Sequence, residues 1–152
     1  MAEIVLTVDV DAPVETTWSA VTDWERQGEW MLGTTVRVLS GSASGVGTGL
    51  AARTGVGPLA VVDEMRITAW EPPHRCQVAH LGRVIRGSAA FEVEQLAGDR
   101  SRFVWSEWLD LPLGLVGQYG FLLGRPVFEA GVRLSLQRFA RWVEAGAAAQ
   151  SA

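Results

Sequence analysis

Residues 3–10 (EIVLTVDV) alternate along the chain and are rich in β-branched side chains, which predicts a strand. At Asp11-Ala12-Pro13 the rhythm changes. Val14, Trp18 and Val21 recur at helical spacing, with Pro13 near the first turn. Thr22-Asp23 is placed to cap a second short helix running to about Met31. Residues 35–41, 48–55 and 59–70 then read as three strands, separated by glycine-rich turns at 41–49 and 55–58. The turn Glu71-Pro72-Pro73-His74 leads to three more strands, 75–81, 84–95 and 101–110, joined at Gly82-Arg83 and near 97–99. Residues 112–125, rich in Gly and Leu, predict a short helix or turn. From about Pro126 to Ala145 the positions Phe128, Val132, Ser135, Phe139 and Trp142 share one helical face. Residues 147–152 read as a flexible tail.

The predicted architecture is therefore α+β. A curved seven-stranded antiparallel sheet wraps around a long C-terminal helix, with two short helices after the first strand. The sheet must bury its apolar face on that helix. Its curvature leaves room between the two layers for a ligand. The length of 152 residues fits one domain, taken as 1–146 before the tail.

Composition narrows the function classes. Apolar residues make up 48% and charged residues 20%, a globular balance. The net charge of −4 offers no basic footprint for nucleic acid or an anionic membrane. No apolar run is long enough for a membrane helix, so no membrane insertion is expected. The N-terminus has no signal-peptide pattern, and one cysteine, Cys76, excludes an internal disulfide; a cytoplasmic location is expected. All 13 basic residues are arginine, which excludes a Schiff-base lysine and a Walker-type phosphate lysine. The seven tryptophans serve a packed core or line an apolar ligand cavity.

Several local runs carry a resemblance. They are Asp11-Ala12-Pro13-x-Glu15-x-x-Trp18, Thr22-Asp23-Trp24, Trp70-Glu71-Pro72-Pro73-x-Arg75, the run 98–105 and Ser135-Leu136-x-x-Phe139. In this order they resemble the START-like (SRPBCC) superfamily, whose helix-grip fold serves pollen allergens, lipid-transfer domains and polyketide cyclases/dehydrases. The polyketide cyclase/dehydrase-like branch is the nearest in pattern. The resemblance implies the fold and an apolar pocket. It leaves carriers, sensors and enzymes open, because one fold hosts many functions.

Strand parity predicts which side chains face the cavity. A two-residue turn at Gly82-Arg83 pairs 80 with 85, 78 with 87 and 76 with 89. A short loop near 97–99 pairs 93 with 103 and 91 with 105. Both hairpins then place apolar residues on the same side. Pairing Trp70 with Arg75 sets Met65 opposite His80 and makes Asp63 a diagonal neighbour of His80. Gly87 and Ala89 leave room opposite the helix. Asp63, His80 and Glu107 fall on the inner face towards one end, the expected pocket mouth. They are the candidate catalytic residues, set against a merely structural or ligand-orienting role. The expected apolar lining is Trp30, Met65, Val78, Phe91, Phe103, Trp105 and Phe128, with Tyr119 and Phe121 in a lid segment.

Other constellations reduce to simpler readings. His74 and His80 lie roughly 20 Å apart along one strand, too far to share a metal ion, so no metal is expected. Cys76 reads as a small buried apolar residue. The glycine-rich 41–49 segment joins two strands and lacks a lysine, so it reads as a connector. Arg83 and Arg86 are outward and solvated, and Arg53 is open to either side.

The favoured function is binding of a hydrophobic, aromatic or polyketide-like small molecule, with no cofactor. The alternative is a cofactor-independent polyketide cyclase/dehydratase. In it His80, oriented by Asp63, removes a proton next to a carbonyl, and Glu107 in its acid form returns one. A third reading makes Trp70 and Trp108, on the outer parity, a partner-binding patch or homodimer contact.

Overall fold

The computed structural model describes residues 2–110 and 113–151. Residues 111, 112 and 152, which fall in the expected connecting segment and tail, lie outside the described residues. The elements are β1 (Ala2–Val10), α1 (Val14–Val21), a 3₁₀ turn (Trp24–Glu29), β2 (Thr34–Ser40), β3 (Gly49–Thr54), a second 3₁₀ turn (Gly57–Leu59), β4 (Val61–Glu71), β5 (Arg75–Leu81), β6 (Arg86–Gln95), β7 (Ser101–Asp110) and α2 (Gly114–Ser151). The seven strands form one antiparallel sheet in the order β1-β7-β6-β5-β4-β3-β2. This is the expected α+β helix grip.

The core lies between the sheet and α2. Val132, Ser135, Leu136, Phe139, Ala140 and Val143 form the buried stripe of α2. The Trp30 ring stands edge-on to Phe139 and Phe103, with centroids 4.9 and 6.2 Å away. A buried hydroxyl chain seats α1 on the sheet. Ser101 donates to the Ala12 carbonyl at 2.8 Å, which leaves Thr17 to donate to Ser101 at 2.7 Å.

The long helix departs from the sequence expectation at both ends. Residues 114–125 form its first turns and not a separate short helix or turn, and Pro126 lies inside it. Tyr119 and Phe121 are therefore helical, not part of a lid loop. At the other end the helix continues past Ala145 to Ser151, through an alanine-rich run of high helix propensity. The second short helix is a 3₁₀ turn that ends at Glu29, and the side chain of Asp23 makes no capping hydrogen bond.

Register decides where the polar residues face. On β6–β7, Val93 pairs with Phe103 and Phe91 with Trp105, as expected. The β5–β6 hairpin is shifted: His80 pairs with Gly87, Val78 with Ala89 and Cys76 with Phe91. Its connection is Gly82 to Ile85, not the tight turn assumed. A shift of two residues keeps every side chain on its face. Met65 does pair with His80, although Trp70 pairs with Cys76, because a bulge between Ile67 and Ala69 absorbs the offset. That bulge also turns Trp70 inward, where its ring lies 5.2 Å from Trp18. Trp108 stays outward but half-buried, its indole N–H donating to Glu3 at 3.1 Å. The expected pair of exposed tryptophans is absent.

Candidate functional site

Three strands deliver the polar trio. Asp63 lies near the start of β4, His80 near the end of β5 and Glu107 near the end of β7. Strand β6 runs between His80 and Glu107. Two strand spacings make roughly 10 Å, beyond ordinary neighbour contact. The residues of β6 opposite them are Gly87, facing His80, and Ala89, facing Glu107. With so little side chain on β6, the imidazole and the carboxylate lean across it and meet. Gly87 is also fixed by its backbone: φ is +118°, and a Cβ there would clash with the Trp108 carbonyl oxygen. Its role is thus more than the room foreseen in the sequence.

His80 Nδ1 lies 2.6 Å from Asp63 Oδ2, a short charge-assisted hydrogen bond. His80 Nε2 lies 3.7 Å from Glu107 Oε2, an ion-pair distance too long for a hydrogen bond. The side chain of His80 is 4% exposed and those of both carboxylates are 10% exposed. Burial favours the neutral ring, but hydrogen bonding to Asp63, the attraction of Glu107 and the two negative charges outweigh it. The imidazole pKa is pushed up to about 9. At neutral pH the ring is an imidazolium that donates Nδ1–H to Asp63. The sequence reading has this ring take a proton; its raised pKa favours the charged form. His80 Nε2, Asp63 Oδ1 and the Trp105 indole nitrogen are buried with no hydrogen-bond partner among the described residues.

The trio opens into a cavity of about 330 Å³ between the sheet and α2. Of the expected lining, Met65, Val78, Phe91, Trp105 and Phe128 are present. Trp30 and Phe103 are not: both are fully buried in the core behind the cavity wall. Trp30 follows the 3₁₀ turn and inserts under it towards Phe139. The sequence reading missed Gln27, Leu50, Ala52 and Ser135 as lining residues. The alternation of Leu50 and Ala52 on β3 was a legible signal for two of them.

The remaining candidates resolve simply. Cys76 is buried, and burial pushes its thiol up to about 12, so it is inert. His74 is exposed, with Nδ1 3.1 Å from the Val93 carbonyl. Arg53, Arg83 and Arg86 are exposed, and Arg53 donates to the Gly57 carbonyl at 3.3 Å. The 41–49 segment connects β2 to β3 and is held by hydrogen bonds from Gly47 N–H to Ile67 and from the Trp24 indole to Ala43. Among the described residues no group of three or more His, Cys, Asp or Glu is placed to hold a metal ion. No helix among them is long and apolar enough to cross a membrane.

A family model described as polyketide cyclase / dehydrase and lipid transport matches residues 1–144. The chain belongs to this family. Among solved structures, the family member is similar to a protein of Thermus thermophilus at 16% identity and a TM-score of 0.79, covering 95% of this chain and 99% of that one. It is also similar to the Zhui aromatase/cyclase of Streptomyces sp. R1128, at 14% identity and a TM-score of 0.78, covering 94% of this chain and 93% of that one. A di-domain aromatase/cyclase of the BE-7585A biosynthetic pathway matches at 15% identity and a TM-score of 0.69, covering 94% of this chain and 50% of that one. At these identities the likeness is one of fold. No curated protein matches the sequence.

Proposed function

We propose that this family member binds a flat hydrophobic small molecule, aromatic or polyketide-like, in the cavity between sheet and α2. The observation that carries this reading is the cavity itself. Its wall is mostly aliphatic and aromatic, with charged groups gathered at one end in Asp63, His80 and Glu107. Burial of apolar ligand surface drives binding at about 25 cal/mol per Å² before entropic costs. His80 Nε2, buried with no hydrogen-bond partner among the described residues, gives a ligand carbonyl or phenol a fixed place to bond. Native mass spectrometry of the purified chain, followed by tryptophan quenching with flat apolar ligands, tests this. Saturable quenching that disappears in Ala89→Phe supports the reading. A clean unliganded mass with no quenching rejects it.

A second reading is favoured by the charge state of the trio: a cofactor-independent cyclase or dehydratase acting on a poly-β-keto chain. The cavity holds the chain in a reactive conformer. The Glu107 carboxylate takes the proton from the carbon next to a carbonyl, while His80 donates Nε2–H towards the carbonyl oxygen as the enol forms. In dehydration the same imidazolium protonates the departing hydroxyl, which leaves as water. Asp63 keeps the ring oriented and charged. Under this reading His80→Ala and Glu107→Gln lose turnover by about 10²-fold or more while still binding ligand. A carrier shows at most modest loss of affinity and no turnover to lose.

A further inference from the structure

We propose that the rim of the cavity is a docking surface for an anionic lipid surface. The proposal goes beyond ligand binding and stands independently of which molecule fills the cavity. The cavity reaches the surface at this end: Thr54, Val61, Ile85 and Val127 belong to its lining and flank the β3–β4 loop, the β5–β6 loop and the first half of α2. Each of these segments carries an aliphatic side chain in water. Val56 is 84% and Leu59 86% exposed in the β3–β4 loop, Val84 is 65% exposed in the β5–β6 loop, and Leu123 is 84% exposed on α2. Single exposed aliphatics are ordinary, but several gathered around one opening mark an interaction surface.

Charge selects the occupant. The net charge of −4 hides an uneven distribution. Arg53 borders the first loop, and Arg83 and Arg86 belong to or border the second. No ion pair forms at any of these three among the described residues, although Asp110 lies opposite Arg86 in the ladder. A second copy meeting this face by two-fold symmetry sets the arginines against themselves. The aliphatic side chains stand on separate segments around an opening and not along one groove. That arrangement suits a fluid interface, whereas a protein partner has to supply a matching wall. Aliphatic tips that enter the headgroup boundary, with arginines at the anionic surface, form a peripheral contact and not a membrane span.

Co-sedimentation of the full chain with vesicles tests the proposal, comparing phosphatidylcholine alone with phosphatidylcholine mixed with phosphatidylglycerol. The chain is expected to sediment with the mixed vesicles, less so as salt rises, and little with the neutral ones. Leu59→Glu and Val84→Glu are expected to abolish binding, and Arg83→Gln and Arg86→Gln to weaken it about five-fold each. An unchanged melting temperature confirms that these exposed substitutions leave the fold intact. The proposal is overturned by absence of binding to the mixed vesicles, or by equal binding of all the variants. It is equally overturned if the rim variants alter only self-association in sedimentation equilibrium, or only binding to an acidic protein.

Discussion

The charge on His80 makes the stability of this protein depend on pH in a definite window. The imidazole titrates near 9 in the folded chain, against 6.5 as the ordinary value. A group whose folded pKa is raised binds its proton more tightly when folded, so the proton stabilises the fold. The contribution is fully present below pH 6.5, falls as pH rises, and is gone above about pH 9. At 1.36 kcal/mol per pKa unit, the offset between 6.5 and about 9 corresponds to about 3 kcal/mol. Among the described residues the charged groups held against the ring are Asp63 and Glu107. Urea unfolding of the native chain and of His80→Gln, from pH 6 to pH 9.5, gives the difference curve that isolates this group. The stability difference between the two is expected to shrink by about 3 kcal/mol across the window. Nuclear magnetic resonance of the His80 imidazole carbons checks the same point directly. A His80 ring that titrates at or below 6.5, or a difference curve that stays flat over the window, refutes the argument.

Asp63→Asn removes the short hydrogen bond and one of the two charges, so the His80 pKa is expected to fall back towards 6.5, read from the same resonances. Gly87→Ala forces a Cβ against the Trp108 carbonyl at a positive φ; we expect a loss of about 3 kcal/mol or more in denaturant melts, and a near-neutral result removes the close approach from the account. Trp30→Ala empties a core position and is expected to cost about 3–5 kcal/mol. Trp30→Phe is expected to cost clearly less, because the lost indole N–H has no hydrogen-bond partner among the described residues to leave behind. A Phe substitution as costly as Ala contradicts that assignment.

The fold and the trio were legible because each rested on periodicity, and periodicity survives even-numbered errors. The β5–β6 register was wrong by two residues, yet His80 stayed on the inner face with Val78. The Met65–His80 pairing was right although its anchor was wrong, since the turn offset and the bulge at Thr68 cancel. Trp70 lies beyond that bulge on the uncompensated side, and there the parity argument failed. Trp30 failed for a different reason. A residue after a short 3₁₀ turn has no periodicity to fix its direction, so core and cavity wall looked alike from sequence. The first turns of α2 were hidden by composition: glycines and Pro126 lower local helix propensity, but propensity is a weak prior that tertiary context overrides.

Parity could say which groups share a face, but it could not say which of them holds a proton. That depends on the 2.6 Å contact with Asp63 and on the reach of Glu107 across β6. Strand spacing alone puts His80 and Glu107 out of contact, and only the missing side chain at Gly87 and the methyl of Ala89 let them approach. Ala89 also lines the cavity at its charged end. One local feature of β6 therefore connects backbone conformation and ring charge. Enlarging Ala89 accordingly has two separable consequences. A bulky apolar residue there fills ligand space, and it also holds Glu107 away from the imidazole. Ala89→Leu is expected to lower the His80 pKa even in the absence of any ligand. An unchanged pKa would mean that Asp63 alone sets the charge and that Glu107 is a bystander.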